Sequence, residues 1–186
     1  MNRNRLAYTR GYLCGAMDRV QDGGIGWRKD IQRVFKNYKI QWMDPSNKPI
    51  DIGIEDLENR AYRRKCKEAG RYDMVQTDMK IIRCVDLRMV DISDFIVVNL
   101  DTSVHACGTY EELTWANRGK KPIIIRVEQG KSDCPDWILG TIPHEMIFST
   151  WAEVYSYLKH VARDDYFETF RRWCFFDFHG EKECST

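Results

Sequence analysis

The chain has 186 residues, enough for one domain that buries a sizeable core. Its 29 basic and 28 acidic residues nearly cancel, so the overall charge gives no reason to expect a nucleic-acid partner. No apolar run approaches the length of a membrane span, which leaves an ordinary globular protein as the expected class.

The cysteines give no sign of a disulfide framework or of a metal site. There are seven cysteines, an odd number, and they are irregularly spaced. The sequence contains neither a C-x-x-C pair nor a cluster of the zinc-binding type. Because no signal peptide is recognisable either, free thiols in a reducing compartment are favoured. We therefore expect a cytoplasmic protein that needs no metal.

Strands and helices are predicted to alternate along the chain. Strands are expected at 6–14, 39–43, 95–100, 121–127 and, as a short piece, 146–148, and helices at 27–38, 54–68, 74–92, from residue 108, and at 150–161. Within 74–92, the helical spacing of Met79, Ile82, Val85, Met89 and Ile92 predicts the buried face. The alternation predicts an α/β fold: a doubly wound, mostly parallel sheet of about five strands with helices on both faces, of the Rossmann or flavodoxin-like type.

The segment 86–122 carries most of the functional information. Asp101 follows the apolar strand directly, at the carboxyl end where open α/β sheets place their ligands. A Gly-Thr turn then begins a helix whose first turn is expected to hold Glu111 and Glu112. Helix N-termini favour ionised carboxylates, and an ionised carboxylate at a cleft is a possible nucleophile. Together with Asp86 ahead of the strand, Asp101 and Glu112 are therefore expected to converge on one pocket.

Several motifs follow one another in a defined order. They are a first strand ending in a Gly-containing loop (12–17, YLCGAM), Asp86 on a helix, a strand between two aspartates (94–101), the turn G-T-x-x-E (108–112) with Ala116 after it, and GKKP (119–122). In this order they resemble the nucleoside 2-deoxyribosyltransferase superfamily, which includes deoxyribosyltransferases and nucleotide N-glycosidases. The resemblance runs from about residue 10 to residue 127, and the stretch 46–80 has no clear counterpart.

The resemblance implies cleavage of the N-glycosidic bond of a 2′-deoxynucleoside, with transfer of the deoxyribosyl group to another base. Glu112, four residues after the motif glycine, would attack the anomeric carbon and form a covalent glycosyl-enzyme. Asp86, or a group that it orients, would handle the proton of the departing base. The partners would be a nucleoside or nucleotide and a free nucleobase, and no cofactor is required.

Substrate contacts are expected from the loops after the first and third strands. They are Tyr12, Gly15, Met17, Asp18, Trp27, Arg28, Asp101, Ser103, His105, Gly108 and Thr109. The candidate site residues, catalytic and substrate-binding alike, also have plainer interpretations. Glu112 could interact with the helix dipole, Asp86 could lie on the surface near Arg83 or Arg88, and Trp27 could belong to the core. Glu111, which directly precedes Glu112, points about 100° away from it around the helix, so the two side chains should not reach the same atom.

One position departs from the family pattern. Many of the transferases carry an aspartate two residues before the motif glycine, and monophosphate-hydrolysing relatives tend to carry a serine, whereas this chain has Ala106. Two alternatives therefore stay open: a (deoxy)nucleoside 5′-monophosphate N-glycosidase, with Arg19 and Arg28 as candidates for the 5′ end, and a non-catalytic nucleotide-binding or sensing domain. The charged stretch 55–80 could cover the site.

The sequence predicts one α/β domain over residues 1–162 and an aromatic-rich tail over 163–186. The tail holds Tyr166, Phe167, Phe170, Trp173, Phe175 and Phe176. So many aromatic side chains should not remain exposed on a small monomer, so they are expected to pack on the domain or on a neighbouring subunit. We therefore expect a homo-oligomer.

Overall fold

The computed structural model describes residues 4–163 and 172–175. Its five strands form one parallel sheet in the order β2-β1-β3-β4-β5: β1 (Arg10–Gly15), β2 (Gln41–Met43), β3 (Phe95–Leu100), β4 (Ile123–Val127) and β5 (Ile147–Phe148). The α-helices of this part are α1 (Ile25–Val34), α2 (Leu57–Glu68), α3 (Tyr72–Ile92), α4 (Cys107–Arg118), α5 (Asp136–Leu139) and α6 (Trp151–Val161), with single 3-10 turns at Lys36–Tyr38, Lys131–Asp133 and His144–Met146. The predicted fold class is confirmed.

The sheet is covered on both faces. Tyr12 and Cys14 of β1 point to the face that α3 and α4 cover, since they contact residues of α4. The residues between and beside them point to the opposite face, where Trp27 of α1 stacks on Trp151 of α6. All six residues of β3 are buried, as its apolar sequence predicted.

Several predicted boundaries differ from the observed ones, and local hydrogen bonds explain two of them. The first strand begins at Arg10, not at residue 6, because the carbonyl of Leu6 is taken by the N–H and the hydroxyl of Thr9, which closes a turn. The helix expected from residue 54 begins at Leu57, because the side chain of Asp56 accepts the N–H of Asn59 at 2.7 Å and caps it there.

The buried face of α3 differs from the predicted one. Ile82 and Met89 are buried as expected, but Met79 is 39% exposed and Val85 and Ile92 are only half-buried. The face that packs on the sheet is formed by Ile82, Asp86, Leu87, Met89 and Val90. The helix is therefore rotated so that a carboxylate, rather than an apolar side chain, faces inward.

The loops after β1 and β3 leave the sheet in opposite directions. The chain passes from β1 to α1 on one face, and from β3 to α4 on the other, although β1 and β3 are neighbours that pair from Gly11↔Phe95 to Gly15↔Asn99. Such a reversal opens a crevice at the carboxyl ends of the two strands, where open α/β sheets bind their ligands.

The described part of the tail packs on the domain. Trp173 is 8% exposed, lies 5.1 Å from the ring of Phe95 between centroids, and donates its indole N–H to the hydroxyl of Tyr157 at 2.9 Å. Phe175 stacks on Trp173. The other predicted tail aromatics, Tyr166, Phe167, Phe170 and Phe176, lie outside the described residues.

Across residues 4–163 and 172–175, none of the helices has the length and apolar character that crossing a membrane would require.

Candidate active site

Glu112 lies on α4, on the side that faces β1. The helix begins at Cys107, so Glu112 falls in its second turn and not in the first turn as expected. Since the helix dipole acts mainly within the first turn, the dipole interpretation of Glu112 loses its basis. One carboxylate oxygen of Glu112 accepts a hydrogen bond of 2.9 Å from the hydroxyl of Tyr12, which is fully buried in β1.

The surroundings of Glu112 bring the pKa of its carboxyl group close to neutral pH. Burial raises the pKa of Glu112 to about 7, against the hydrogen bonds from Cys14 and Tyr12 and the positive charge of Arg28, which lower it. Burial, together with the charge of Glu112, also raises the pKa of Tyr12 well above its usual value. Tyr12 therefore keeps its proton and remains a hydrogen-bond donor to Glu112.

Asp86 lies inside the protein, where α3 meets the chain that follows β2. It is 6% exposed, and one of its oxygens forms an ion pair with the ammonium of Lys48. The same ammonium lies 3.0 Å from a carboxylate oxygen of Glu55, and the Lys48 side chain is 2% exposed. Burial and the charge of Glu55 raise the pKa of Asp86 to about 8, while Lys48 works against them.

These side chains form one group, which we call the carboxylate cluster: Glu55, Asp86 and Glu112, with Lys48 and Tyr12. Glu112 and Asp86 act on each other electrostatically, and Glu55 acts on both. Glu55 and Asp86 both contact the ammonium of Lys48, whereas the cation that acts on Glu112 is Arg28. Because desolvation disfavours ionised carboxylates, the cluster tends to keep a proton. Lys48 and Glu55 were missed by the sequence analysis, because neither residue type nor spacing marks a lysine in a loop or a glutamate in a charged stretch.

Arg28 is buried completely and organises the loop after β1. Its guanidinium donates to the carbonyls of Gly15 at 2.9 Å, Gly24 at 2.8 Å and Leu13 at 3.3 Å. Gly24 has a φ of 71°, and a Cβ there would lie 2.5 Å from the carbonyl oxygen of Ala16 and would also meet the Arg28 guanidinium. The position therefore requires glycine. Arg28 fixes the loop from inside and presents no free face to a substrate phosphate.

A cavity of about 280 Å³ opens on the opposite face of the sheet. It is lined by Ala16, Val20, Asp22, Gly24, Trp27, Asn99, Asp101, Arg126, Glu128 and Trp151. Arg126 donates to the side-chain oxygen of Asn99 at 2.9 Å and lies 3.1 Å from Glu128, whereas its Nε is buried without a hydrogen-bond partner among the described residues. The indoles of Trp27 and Trp151 stack with centroids 5.2 Å apart.

The structure therefore divides the predicted site residues between two places. Tyr12, Asp86 and Glu112 come together in the carboxylate cluster, whereas Trp27 and Asp101 border the cavity. Asp101 accepts hydrogen bonds from Ser103 and Gln129, and none of its hydrogen bonds within the described residues reaches the cluster. The expected convergence of all three carboxylates was wrong in this respect.

The remaining predicted residues lie around the two loops. Gly15 ends β1, Met17 is buried with its carbonyl bound by Arg60, Thr109 is buried with its carbonyl accepting from Cys14, and Asp18, Ser103, His105 and Gly108 are exposed. Glu111 lies outside the cluster and pairs with Arg83. In the described part of the chain, no three His, Cys, Asp or Glu side chains are arranged to hold a metal ion.

No protein-family model and no curated protein matches the sequence. Solved structures do. The chain is similar to a 2-deoxyribosyltransferase from Bacillus psychrosaccharolyticus, with a TM-score of 0.55 and 14% identity over 86% of this chain and 100% of that one. It is also similar to a conserved protein from Enterococcus faecalis V583, with a TM-score of 0.52 and 16% identity over 83% and 99% of the two chains.

A weaker likeness, with a TM-score of 0.45 and 14% identity over 82% of this chain and 99% of that one, links it to the CMP N-glycosidase BcmB of Clostridium botulinum. The two likenesses with TM-scores of 0.55 and 0.52 establish the fold alone at these identities, and they confirm the predicted fold.

Proposed function

We propose that this protein, which has the fold of the nucleoside 2-deoxyribosyltransferase superfamily, cleaves the N-glycosidic bond of 2′-deoxynucleosides and transfers the sugar to a second base. One observation supports this most: a half-buried glutamate, held by a tyrosine hydroxyl, lies in the same cluster as a buried second carboxyl group, that of Asp86. Two carboxyl groups in different environments are the arrangement that glycosidic cleavage needs.

Glu112 is the nucleophile in this proposal. The Tyr12 hydroxyl fixes one carboxylate oxygen, which leaves the other to attack the anomeric carbon. With a pKa of about 7, a substantial fraction of Glu112 is ionised at neutral pH and able to form the covalent glycosyl-enzyme.

Asp86 handles the proton of the departing base. With a pKa of about 8, its carboxyl is mostly protonated at neutral pH, so it can give a proton to the base as the bond to the sugar breaks. Burial raises the pKa values of both Glu112 and Asp86 toward neutrality, so the pair can hold a proton that one member gives to the base while the other is ionised.

Transfer to a base is favoured over hydrolysis by the burial of the cluster. Tyr12 is fully buried and the side chains of Lys48 and Asp86 are 2% and 9% exposed, so water is largely kept from the reacting atoms. The (deoxy)nucleoside 5′-monophosphate N-glycosidase is the second candidate. Arg19 supports it, since this exposed guanidinium in the loop after β1 forms no ion pair within the described residues and could meet a phosphate.

The deciding experiment incubates the protein with a 2′-deoxynucleoside or its 5′-monophosphate, with and without a second free base, and separates the products by chromatography. A new nucleoside supports transfer, and free sugar or sugar phosphate supports hydrolysis. If no product forms under any condition, the protein binds without turnover and the proposal is wrong. The Glu112→Gln variant is the control for contaminating activity.

We also propose that the protein is a homo-oligomer. The described surface carries large exposed apolar side chains, among them Trp137 at 86%, Leu57 at 63% and Ile52 at 56% exposure. Light scattering on the intact chain at micromolar concentration tests this. A monomeric mass would contradict it.

A further inference from the structure

The chain between β2 and α2, which we call the 44–56 segment, buries its charges and exposes its apolar residues. Lys48 and Glu55 turn inward, with side-chain exposures of 2% and 13%. Ile50, Ile52 and Ile54 remain 47%, 56% and 47% exposed. This inverts the usual preference, since lysine and glutamate are rarely buried and isoleucine commonly is.

A need to fix the 44–56 segment to the domain does not by itself explain why its charged residues, rather than its isoleucines, are buried. A buried ion network is weak evidence for stability, because the cost of removing charges from water offsets most of their attraction. If the segment only had to be held in place, burial of its three isoleucines would achieve this by the hydrophobic effect. The buried charges are therefore better explained by what they contact, which is Asp86.

Lys48 and Glu55 act on the Asp86 carboxyl in opposite directions. The ammonium of Lys48 binds one oxygen of Asp86 and favours its ionised form, whereas the negative charge of Glu55 disfavours it. The other titratable groups facing Asp86 are Glu112 from α4 and, from β1, Tyr12 and Cys14. Within the described residues, the second oxygen of Asp86 has no hydrogen-bond partner and is available to a substrate.

We propose that Lys48 and Glu55 are positioning residues for proton transfer at Asp86, which hold its carboxyl beside the leaving base and control when it carries a proton. This rests on the proposed glycosidic cleavage. As the bond from the anomeric carbon to the base nitrogen breaks, its electron pair stays with the base, which takes the proton of Asp86, while a Glu112 oxygen bonds to the carbon. Lys48 keeps its protons and stabilises the carboxylate that Asp86 becomes. In the second half of the reaction, when the incoming base attacks the glycosyl-enzyme, Asp86 recovers a proton from that base.

The test measures how kcat/KM depends on pH for wild type, Lys48→Met and Glu55→Gln. Cleavage requires protonated Asp86, so the alkaline limb reports its pKa. Without the ammonium, Asp86 keeps its proton to higher pH and the limb moves up. Without Glu55, Asp86 ionises more readily and the limb moves down. Each shift should be about one pH unit, as expected for a charge in direct contact.

A second substrate separates proton transfer from structural damage. In 7-methyl-2′-deoxyguanosine the base already carries a positive charge and departs without protonation. Lys48→Met should lose about 10-fold or more in kcat/KM on ordinary 2′-deoxynucleosides, but no more than about threefold on this one. Lys48→Arg keeps the positive charge and should leave the alkaline limb near its wild-type position. Thermal melting shows whether Lys48→Met folds, and if it does not, Lys48→Arg takes its place in the comparison.

Matched controls are available on the surface of α2. Lys65→Met and Glu58→Gln remove the same charges from exposed positions and should change neither limb. The inference is overturned if the limbs of Lys48→Met and Glu55→Gln move in the same direction or not at all, or if both substrates lose rate equally. If wild type cleaves neither substrate, it is the proposed function that fails, and the inference with it.

Discussion

The two faces of the sheet treat charge in opposite ways. On the cavity side, Arg126 pairs with Glu128 and donates to Asn99, and the space beside them is open. On the side of α3 and α4, Glu55 and Asp86 share the ammonium of Lys48, and the half-buried Glu112 lies in the same cluster with its pKa raised to about 7. The cavity thus offers open space, whereas the carboxylate cluster offers groups whose pKa values lie near neutrality. Unbalanced buried charge is the better indicator of chemistry, because it shifts pKa values toward neutrality.

The largest effect should come from the nucleophile of the carboxylate cluster. Glu112→Gln should lose at least ~10³-fold in rate with the fold intact, because the covalent route disappears. Steady-state rates on a 2′-deoxynucleoside, with circular dichroism to verify folding, measure this. Glu111→Gln is the matched control and should retain most activity, since Glu111 pairs with Arg83 on the outside. The opposite result would place the wrong glutamate in the site.

The next effect concerns the proton. Asp86→Asn should lose roughly 10²-fold, because the amide cannot give a proton to the leaving base. The loss should be smallest for substrates whose base leaves easily, which a series of nucleosides with graded leaving groups measures. Wild-type rates across the whole series would remove Asp86 from the chemistry and weaken the contrast between the two faces.

Removing the hydroxyl that holds Glu112 should have an intermediate effect. Tyr12→Phe removes a hydrogen bond that lowers the pKa of Glu112, so this pKa should rise above about 7. Since the nucleophile must be ionised, the acid limb of kcat/KM should move to higher pH, and the rate at pH 6 should fall about 10-fold. Tyr155→Phe, a half-buried tyrosine of α6, is the control. An unchanged acid limb in Tyr12→Phe would show that the hydrogen bond does not serve catalysis.

The smallest effect is expected at the cavity. Glu128→Gln keeps the shape of the side chain and removes only its charge, so cleavage should change by less than about threefold. Rates measured beside those of Glu112→Gln give the comparison directly. A loss of more than about 10-fold would move the chemistry to the cavity face and reverse the assignment of the two sides.

The parts predicted correctly are those that local sequence determines. The run 95–100 is apolar enough to be a strand covered on both faces, and β3 occupies those residues. The spacing of the G-T-x-x-E turn pointed to Glu112, which the hydrogen bond from Tyr12 places beside β1, and the role of Glu112 stays a prediction. Leu6 was misassigned because burial, which it has, does not require the strand conformation that it lacks.

The parts that were missed depend on long-range contacts. Lys48 meets Asp86 across 38 positions of sequence, and nothing near either residue announces the other. The burial of Asp86 itself follows from the rotation of α3, which the apolar spacing of Met79, Val85 and Ile92 predicted wrongly. Since Asp86 and Lys48 come into contact only in the folded chain, neither is apparent from the sequence around it.

The three carbonyls held by Arg28 make the loop after β1 a natural place for engineering. Arg28 fixes Gly15 and Gly24 at the two ends of the loop, and Arg60 holds the carbonyl of Met17 just inside it. Between these anchors, Asp18, Arg19 and Gln21 are exposed. Libraries randomised at these three positions can alter what enters the crevice, while both ends of the loop and the carboxylate cluster keep their places.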